Sequence, residues 1–285
     1  MSVLVPASLD DALAQLAADP DLQVLAGGTD LMVEVNMGHR RPAGILVVDR
    51  LPELRGWRHN AQLGTVWLGA GLTYAEMAAP AFAALLPALT EAARTVGSPQ
   101  IRNAGTIGGN LGTASPAGDG LPVLSALDAT VTLVSAGGRR ELSIHDYLVG
   151  VKRTARRPDE LILGATVPVL TGWQGYAKVG VRNAMVIATT SACLAVDPAG
   201  RTVRISLGAV APTVLRAADA EAWVGGQVDW DAGHLAGEAQ VVAAEFGRRV
   251  AAEARPIDDH RSTAAYRRHA VGVLAARLLH RAFAA

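Results

Sequence analysis

The chain has 285 residues, half of them apolar and under a fifth charged, with 26 basic and 26 acidic side chains and no formal net charge. That length exceeds one minimal core, so one large or two to three smaller domains are expected, and the composition excludes a disordered chain or a basic nucleic-acid-binding field. No apolar run approaches the roughly 18 residues of a membrane span. The opening MSVLVPASLDDALAQL lacks the basic and apolar regions of a leader, so a soluble cytoplasmic protein is expected.

The hydrophobic pattern changes character twice, which divides the chain into segments 1–56, 57–170 and 171–285. In the first, Ser8-Leu9-Asp10-Asp11 opens a helix in the manner of a capping box, with Leu9, Leu13 and Leu16 on one face. A short strand over 23–26 leads through Gly-Gly-Thr-Asp into a helix over 31–36, and GILVVD at 44–49 is a buried strand. The second segment opens with the strand VWLGAG. Thr73 to Glu76 form another capping box, whose helix is interrupted at Pro80, and 81–95 is predicted as one further helix. A glycine-rich loop over 106–122 comes next, then a short helix at 123–127. Strands follow at 131–136, 139–143 and 161–168, with a turn or short helix at 145–150. TGWQG at 171–175 reads as a linker. Beyond it, strands are expected at 177–181, 186–197 and 202–210, then helices at 217–224, 231–250 and 262–285. In the last helix Tyr266, Ala270, Val273, Leu274 and Leu278 form the core face, while Arg267, Arg268, Arg277 and Arg281 fall largely on the solvated one.

Reactive side chains are scarce. Cys193 is the only cysteine and lies in the apolar run TTSACLAV, so it reads as a buried, inert thiol; a thiolate-held iron–sulfur cluster needs more such ligands than this chain has. The seven histidines show no metal-ligand spacing, and no metal site is expected. The basic run at 152–157, Lys-Arg-Thr-Ala-Arg-Arg, reads as a solvated turn.

Two glycine turns carry the chemical signal. The first, Ala26-Gly27-Gly28-Thr29-Asp30, joins a strand to a helix; paired glycines can expose successive peptide N–H groups as a nest, and the helix start favours an anion such as a pyrophosphate. The same residues also suit an ordinary tight turn. The second, Thr106-Ile107-Gly108-Gly109-Asn110, continues to Thr113, Ser115 and Asp119; here Asp119 could accept from ribose hydroxyls or a ring nitrogen, or the polar residues could merely cap a helix. Two such turns in separate segments point to a dinucleotide held across a cleft. Neither is a GxGxxG fingerprint or a P-loop.

VLAGGTDL at 24–31, the long run QIRNAGTIGGNLGTASPAGD within 96–135, PDELILGATVP at 158–168 and the C-terminal PIDDHRSTAAYRRHAVGVLAARLLHRA carry a resemblance over essentially the whole chain. The chain resembles the FAD-binding (medium) subunit of the xanthine dehydrogenase, or molybdenum hydroxylase, family. That resemblance implies an α+β, vanillyl-alcohol-oxidase-type fold: two subdomains clasping FAD, at 1–56 and 57–170, then a C-terminal domain of sheet plus helices at 171–285. It maps Ala26, Gly27, Gly28, Thr29 and Asp30 to the pyrophosphate loop and Thr106, Gly109, Asn110, Thr113 and Asp119 to a second FAD loop. Leu161 and Ile162 would sit by the adenine or the flavin, and Lys178 would approach the isoalloxazine edge. One departure from the family pattern is Val186, where an Asp often follows the Arg matched by Arg182.

In the family's scheme a molybdenum cofactor on a large subunit hydroxylates substrate, and [2Fe–2S] clusters on a small subunit relay electrons to FAD and on to NAD⁺ or another acceptor. The resemblance therefore implies a subunit of a heterotrimer, as a dimer of heterotrimers, with no catalytic acid, base or nucleophile of its own. A nucleotide-binding scaffold without turnover and a self-sufficient flavin oxidase are the alternative readings of the same turns.

Overall fold

A computed structural model describes residues 2–284. The chain begins with a small parallel sheet. Strand β1 (Ser2–Leu4) and β2 (Gln23–Leu25) flank the central β3 (Gly44–Val47), with α1 (Leu9–Ala18) between β1 and β2 and α2 (Leu31–Asn36) between β2 and β3. Ser8 caps α1 by accepting from the Asp11 N–H, and Leu9, Ala12, Leu13 and Leu16 are its buried face. Because all three strands run the same way, the turn after β2 and the residues after β3 emerge at one edge, where ligands of parallel sheets are bound.

A five-stranded antiparallel sheet follows, in the order β4 (Trp57–Asn60), β5 (Thr65–Gly69), β10 (Leu161–Pro168), β6 (Thr130–Ser135) and β7 (Gly138–Ser143). Between β5 and β6 lie six short helices: α3 (Tyr74–Met77), α4 (Pro80–Ala83), α5 (Pro87–Thr95), α6 (Pro99–Ala104), α7 (Ile107–Thr113) and α8 (Gly120–Ala126). The single helix expected over 81–95 is two, because Pro87 has no N–H to continue the first and starts the second as its N1 residue. Much of the expected glycine loop is also helical. Thr106 is the N-cap of α7, its hydroxyl accepting from Gly109 N–H at 3.0 Å. After β7, α9 (Ile144–Tyr147) leads into a small hairpin, β8 (Leu148–Gly150) and β9 (Arg153–Thr154).

The rest is a four-stranded antiparallel sheet followed by helices: β11 (Gln174–Val179), β12 (Thr190–Asp197), β13 (Thr202–Gly208) and β14 (Leu215–Arg216), then α10 (Ala218–Gly225), the short pair β15 (Val228–Asp229) and β16 (His234–Leu235), α11 (Ala239–Glu253) and α12 (Ala264–Phe283). Strand alternation splits β12 between two cores. Cys193 and Ala195 pack with Tyr176 and the helices after β5, while Ala192, Leu194 and Val196 pack against α10, α11 and α12. Burial on both faces accounts for its unbroken apolar run. The expected helix over 231–250 begins only at Ala239, since Gly233 stands at φ +74° and the pair β15–β16 occupies the preceding residues.

Arg267 departs from its expected solvated face. It is buried, with Nη1 donating to the Thr189 and Ala209 carbonyls at 3.0 and 2.9 Å and Nη2 to Asp259 Oδ1 at 2.7 Å. The guanidinium thus ties α12 to the ends of β12 and β13. Truncation would leave two buried carbonyls without these donors and take one donor from the part-exposed Asp259 carboxylate. Arg267→Ala is expected to lower the unfolding free energy by about 2–4 kcal/mol in urea titrations; a change within about 0.5 kcal/mol would mean that the buried guanidinium stabilises nothing.

Candidate functional site

The first glycine turn sits where β2 ends. Its approach to the second lobe is backbone against backbone: a Cβ placed on Gly27 would stand 1.7 Å from the Ala104 carbonyl oxygen, at the end of α6. Gly28 adopts φ +70°, which reverses the chain into α2. Among the described residues, the peptide N–H groups of Gly27, Gly28, Thr29 and Asp30 meet no protein acceptor, although all four residues lie on a cavity wall. Four such donors on residues of one cavity wall suit an anionic or carbonyl-rich ligand. The helix behind them contributes little of the expected positive end, for α2 has only six residues and carries Glu34 in its first turn.

The second turn is built differently. Ile107 N–H donates to the Leu72 carbonyl at 2.9 Å and Gly108 N–H to the Ala70 carbonyl at 2.8 Å, and the Gly105 carbonyl accepts from Tyr74 N–H at 3.1 Å. With Gly109 N–H on Thr106 Oγ1, the leading donors of α7 are satisfied within the protein. Asn110 Oδ1 accepts from Gly120 N–H at 3.2 Å and so folds the following loop back onto α7. Gly109 is the open position: a Cβ there would meet only Thr106 Oγ1, at 3.2 Å, with the cavity in front. Thr113 joins the two turns, its hydroxyl 3.3 Å from Asp30 Oδ2.

Between the turns lies a cavity of about 910 Å³, in the size range of cofactor sites. Its walls include Ala26, Gly27, Gly28, Thr29, Asp30, Thr106, Gly109, Asn110, Thr113, Asp119, Leu161 and Ile162, all twelve named from the sequence. Lys178 is the exception. Its Nζ is spent on the Thr95 carbonyl at 2.9 Å, Asp119 Oδ2 at 2.8 Å and the Val186 carbonyl at 3.2 Å, so it stands behind the wall and reaches the cavity only through Asp119 and Val186. Asp119 is committed as well, with Oδ1 accepting from the Tyr176 hydroxyl at 2.6 Å. Burial pushes its carboxyl above the ordinary range, against the pull of the Lys178 ammonium and the Tyr176 hydroxyl. Cys193 lies in the core with its thiol pushed up by burial, which is the environment of an inert sulfur.

Two family models match the chain: the FAD binding domain in molybdopterin dehydrogenase, over residues 1–170, and the CO dehydrogenase flavoprotein C-terminal domain, over 176–282. The chain belongs to the FAD-binding medium subunits of the molybdenum hydroxylases. It is 32% identical to the glyceraldehyde dehydrogenase medium chain of Sulfolobus acidocaldarius, across 94% of this chain and 92% of that one. With the carbon monoxide dehydrogenase medium chain of Hydrogenophaga pseudoflava it shares 31% identity across 98% and 96%. A solved carbon monoxide dehydrogenase from that organism, lacking the Mo-pyranopterin moiety of its molybdenum cofactor, superposes with a TM-score of 0.87 at 29% identity, over 100% of this chain and 97% of that one. The α+β fold and the FAD-dependent oxidoreductase class follow from this membership.

The cavity of this medium subunit is also lined by residues to which the sequence assigned no binding role: Arg40, Lys152, Arg156, Glu160, and Met185 to Ile187 in the loop after β11. Tyr176 was within reach of sequence reasoning, since it precedes Lys178 by two residues on one strand and must share its face. Glu160 is nearly buried and receives Arg140 Nε and Nη2 at 2.6 and 2.9 Å and Arg157 N–H at 2.6 Å. The Arg140 contact, above all, holds its carboxyl below the usual range. Its contribution is therefore fully present above the ordinary glutamate pKa of about 4.3 and lost as pH falls through the depressed value. In Glu160→Gln that part of the stability–pH curve is expected to flatten; an unchanged acid limb in thermal melts would contradict the pairing.

Gly27→Ala has no room beside Ala104, so it is expected to yield a protein of lowered melting temperature whose two turns no longer meet. A fully stable Gly27→Ala would show that the backbone contact is dispensable.

Proposed function

We propose that this chain is the flavin station of a heteromeric molybdenum hydroxylase. It would take electrons from [2Fe–2S] clusters on a small partner subunit, fed by a molybdenum cofactor on a large one, and pass them to NAD⁺ or another acceptor. The carrying observation is the cavity between the turns, with unpaired peptide donors on one side and a side-chain-free opening at Gly109 on the other. The names of its relatives support the reading: one is the medium chain of a glyceraldehyde dehydrogenase and another that of a carbon monoxide dehydrogenase. The division of the chain at 1–56, 57–170 and 171–285, and a dimer of heterotrimers as the assembly, belong to the same proposal.

FAD, when bound, supplies the redox chemistry, accepting electrons singly and releasing them as a pair. The protein's part is to bind, orient and enclose. Peptide N–H groups from Gly27 to Asp30 would hold the diphosphate, and Leu161 and Ile162 at the bulged start of β10 would cover an apolar ring face. Asp119, clamped by Tyr176 and Lys178, fixes the wall after α7 against β11, so that the C-terminal sheet braces the site. The lone buried thiol of Cys193 offers no ligand set for a cluster, in keeping with clusters borne by a partner.

Gly109→Val is the direct test. Its branched side chain would enter the cavity, where Thr106 Oγ1 is the one protein atom near its Cβ. The purified variant is expected to keep its far-ultraviolet circular dichroism and to carry less than about half the flavin of the parent, read from visible absorption. Full flavin content in Gly109→Val would refute the placement of the cofactor between the turns.

A further inference from the structure

The first turn offers hydrogen bonds but little positive charge. Its peptide N–H groups are neutral donors, α2 is too short to add a strong field, and the turn and α2 bring Asp30 and Glu34 to the cavity wall. A diphosphate placed there would meet two carboxylates. A cation must offset them.

Four cations line the cavity: Arg40, Arg55, Lys152 and Arg156. Arg55 donates to the Asp49 carbonyl, and Arg156 Nη1 is spent on the carbonyls of Arg157, Pro158 and Glu160. Arg40 Nη1 lies 3.6 Å from Glu34 Oε2. Lys152 goes further: its Nζ is 2.5 Å from Glu34 Oε1 and 3.9 Å from Asp30 Oδ2, the last residue of the turn. It arrives from the opposite lobe. Lys152 stands between β8 and β9 at φ +51°, and its N–H donates at 3.2 Å to the carbonyl of Ala114, the residue that ends α7. The hairpin thus delivers an ammonium from the second turn's side to the lip of the first. Since Arg40 faces the other oxygen of Glu34, Lys152 can turn to a phosphate without leaving that carboxylate unpaired.

We propose that Lys152 is the counter-charge for the cofactor's diphosphate, held ready by Glu34 at the lip of the first turn. This deepens the FAD reading and rests on it. The basic run at 152–157, which looks from sequence like a solvated turn, then contains a binding residue.

The test uses the full chain freed of flavin and titrated with FAD, ADP and riboflavin, comparing the parent with Lys152→Gln and Lys152→Arg. Lys152→Gln is expected to weaken FAD and ADP about tenfold at low ionic strength, by loss of one partly exposed charge-assisted contact. Riboflavin, which has no phosphate, should bind as in the parent, Lys152→Arg should restore FAD, and the gap should narrow as salt rises. Equal weakening of riboflavin and FAD would make Lys152 a strap between lobes and overturn the proposal. So would unchanged FAD and ADP binding in Lys152→Gln. A parent chain that binds neither FAD nor ADP would instead overturn the cofactor reading itself, a result visible before any variant is made.

Discussion

Gly27 meets the Ala104 carbonyl with no side chain between them, and the site follows from that contact. Any Cβ at Gly27 would push the lobes apart, so the two turns can face one cavity only while this position stays bare. Gly28 takes a left-handed backbone in the first turn, and among the described residues the peptide N–H groups from Gly27 to Asp30 have no protein acceptor. Unpaired donors on a cavity wall are costly unless water or a ligand takes them, and here their number and adjacency suit a diphosphate.

The two turns look alike in composition and do different work. The first keeps its donors free. In the second, the leading amides of α7 are bonded to Ala70, Leu72 and Thr106, so that turn is a rigid wall whose use lies in the space in front of Gly109. Behind the wall, Lys178 donates to three acceptors and Tyr176 to a fourth, which joins β11, α5 and the Asp119 segment into one support. Lys178 and Asp119 are thereby tied to each other and, through these bonds, to β11, α5 and the loop after β11, with Asp119 on the cavity wall.

Much of this was legible in the sequence where the cause is local. The cap at Ser8, the capping box at Thr73, the helix at 31–36 and the strand at 161–168 depend on near neighbours, and the structure has each of them. The helix at α7 was hidden because glycine is a poor helix former, and what stabilises it is the pairing of its first turn with the exit of β5. Arg267 was misplaced for a similar reason: its partners are carbonyls at strand ends far along the chain. Within the site, the glycine signature disclosed both turns, yet the reason for Gly27 lies in Ala104 and the role of Lys152 in a hairpin tip that touches α2. Such long-range meetings leave no periodicity to read.

Backbone hydrogen exchange with and without FAD addresses the central claim most directly, because it reports on the very donors in question. The amides from Gly27 to Asp30 should exchange rapidly in the flavin-free chain and become strongly protected when FAD is added, while those of Ile107, Gly108 and Gly109, already bonded within the protein, should change little. Protection confined to the second turn, or none at the first, would contradict the account.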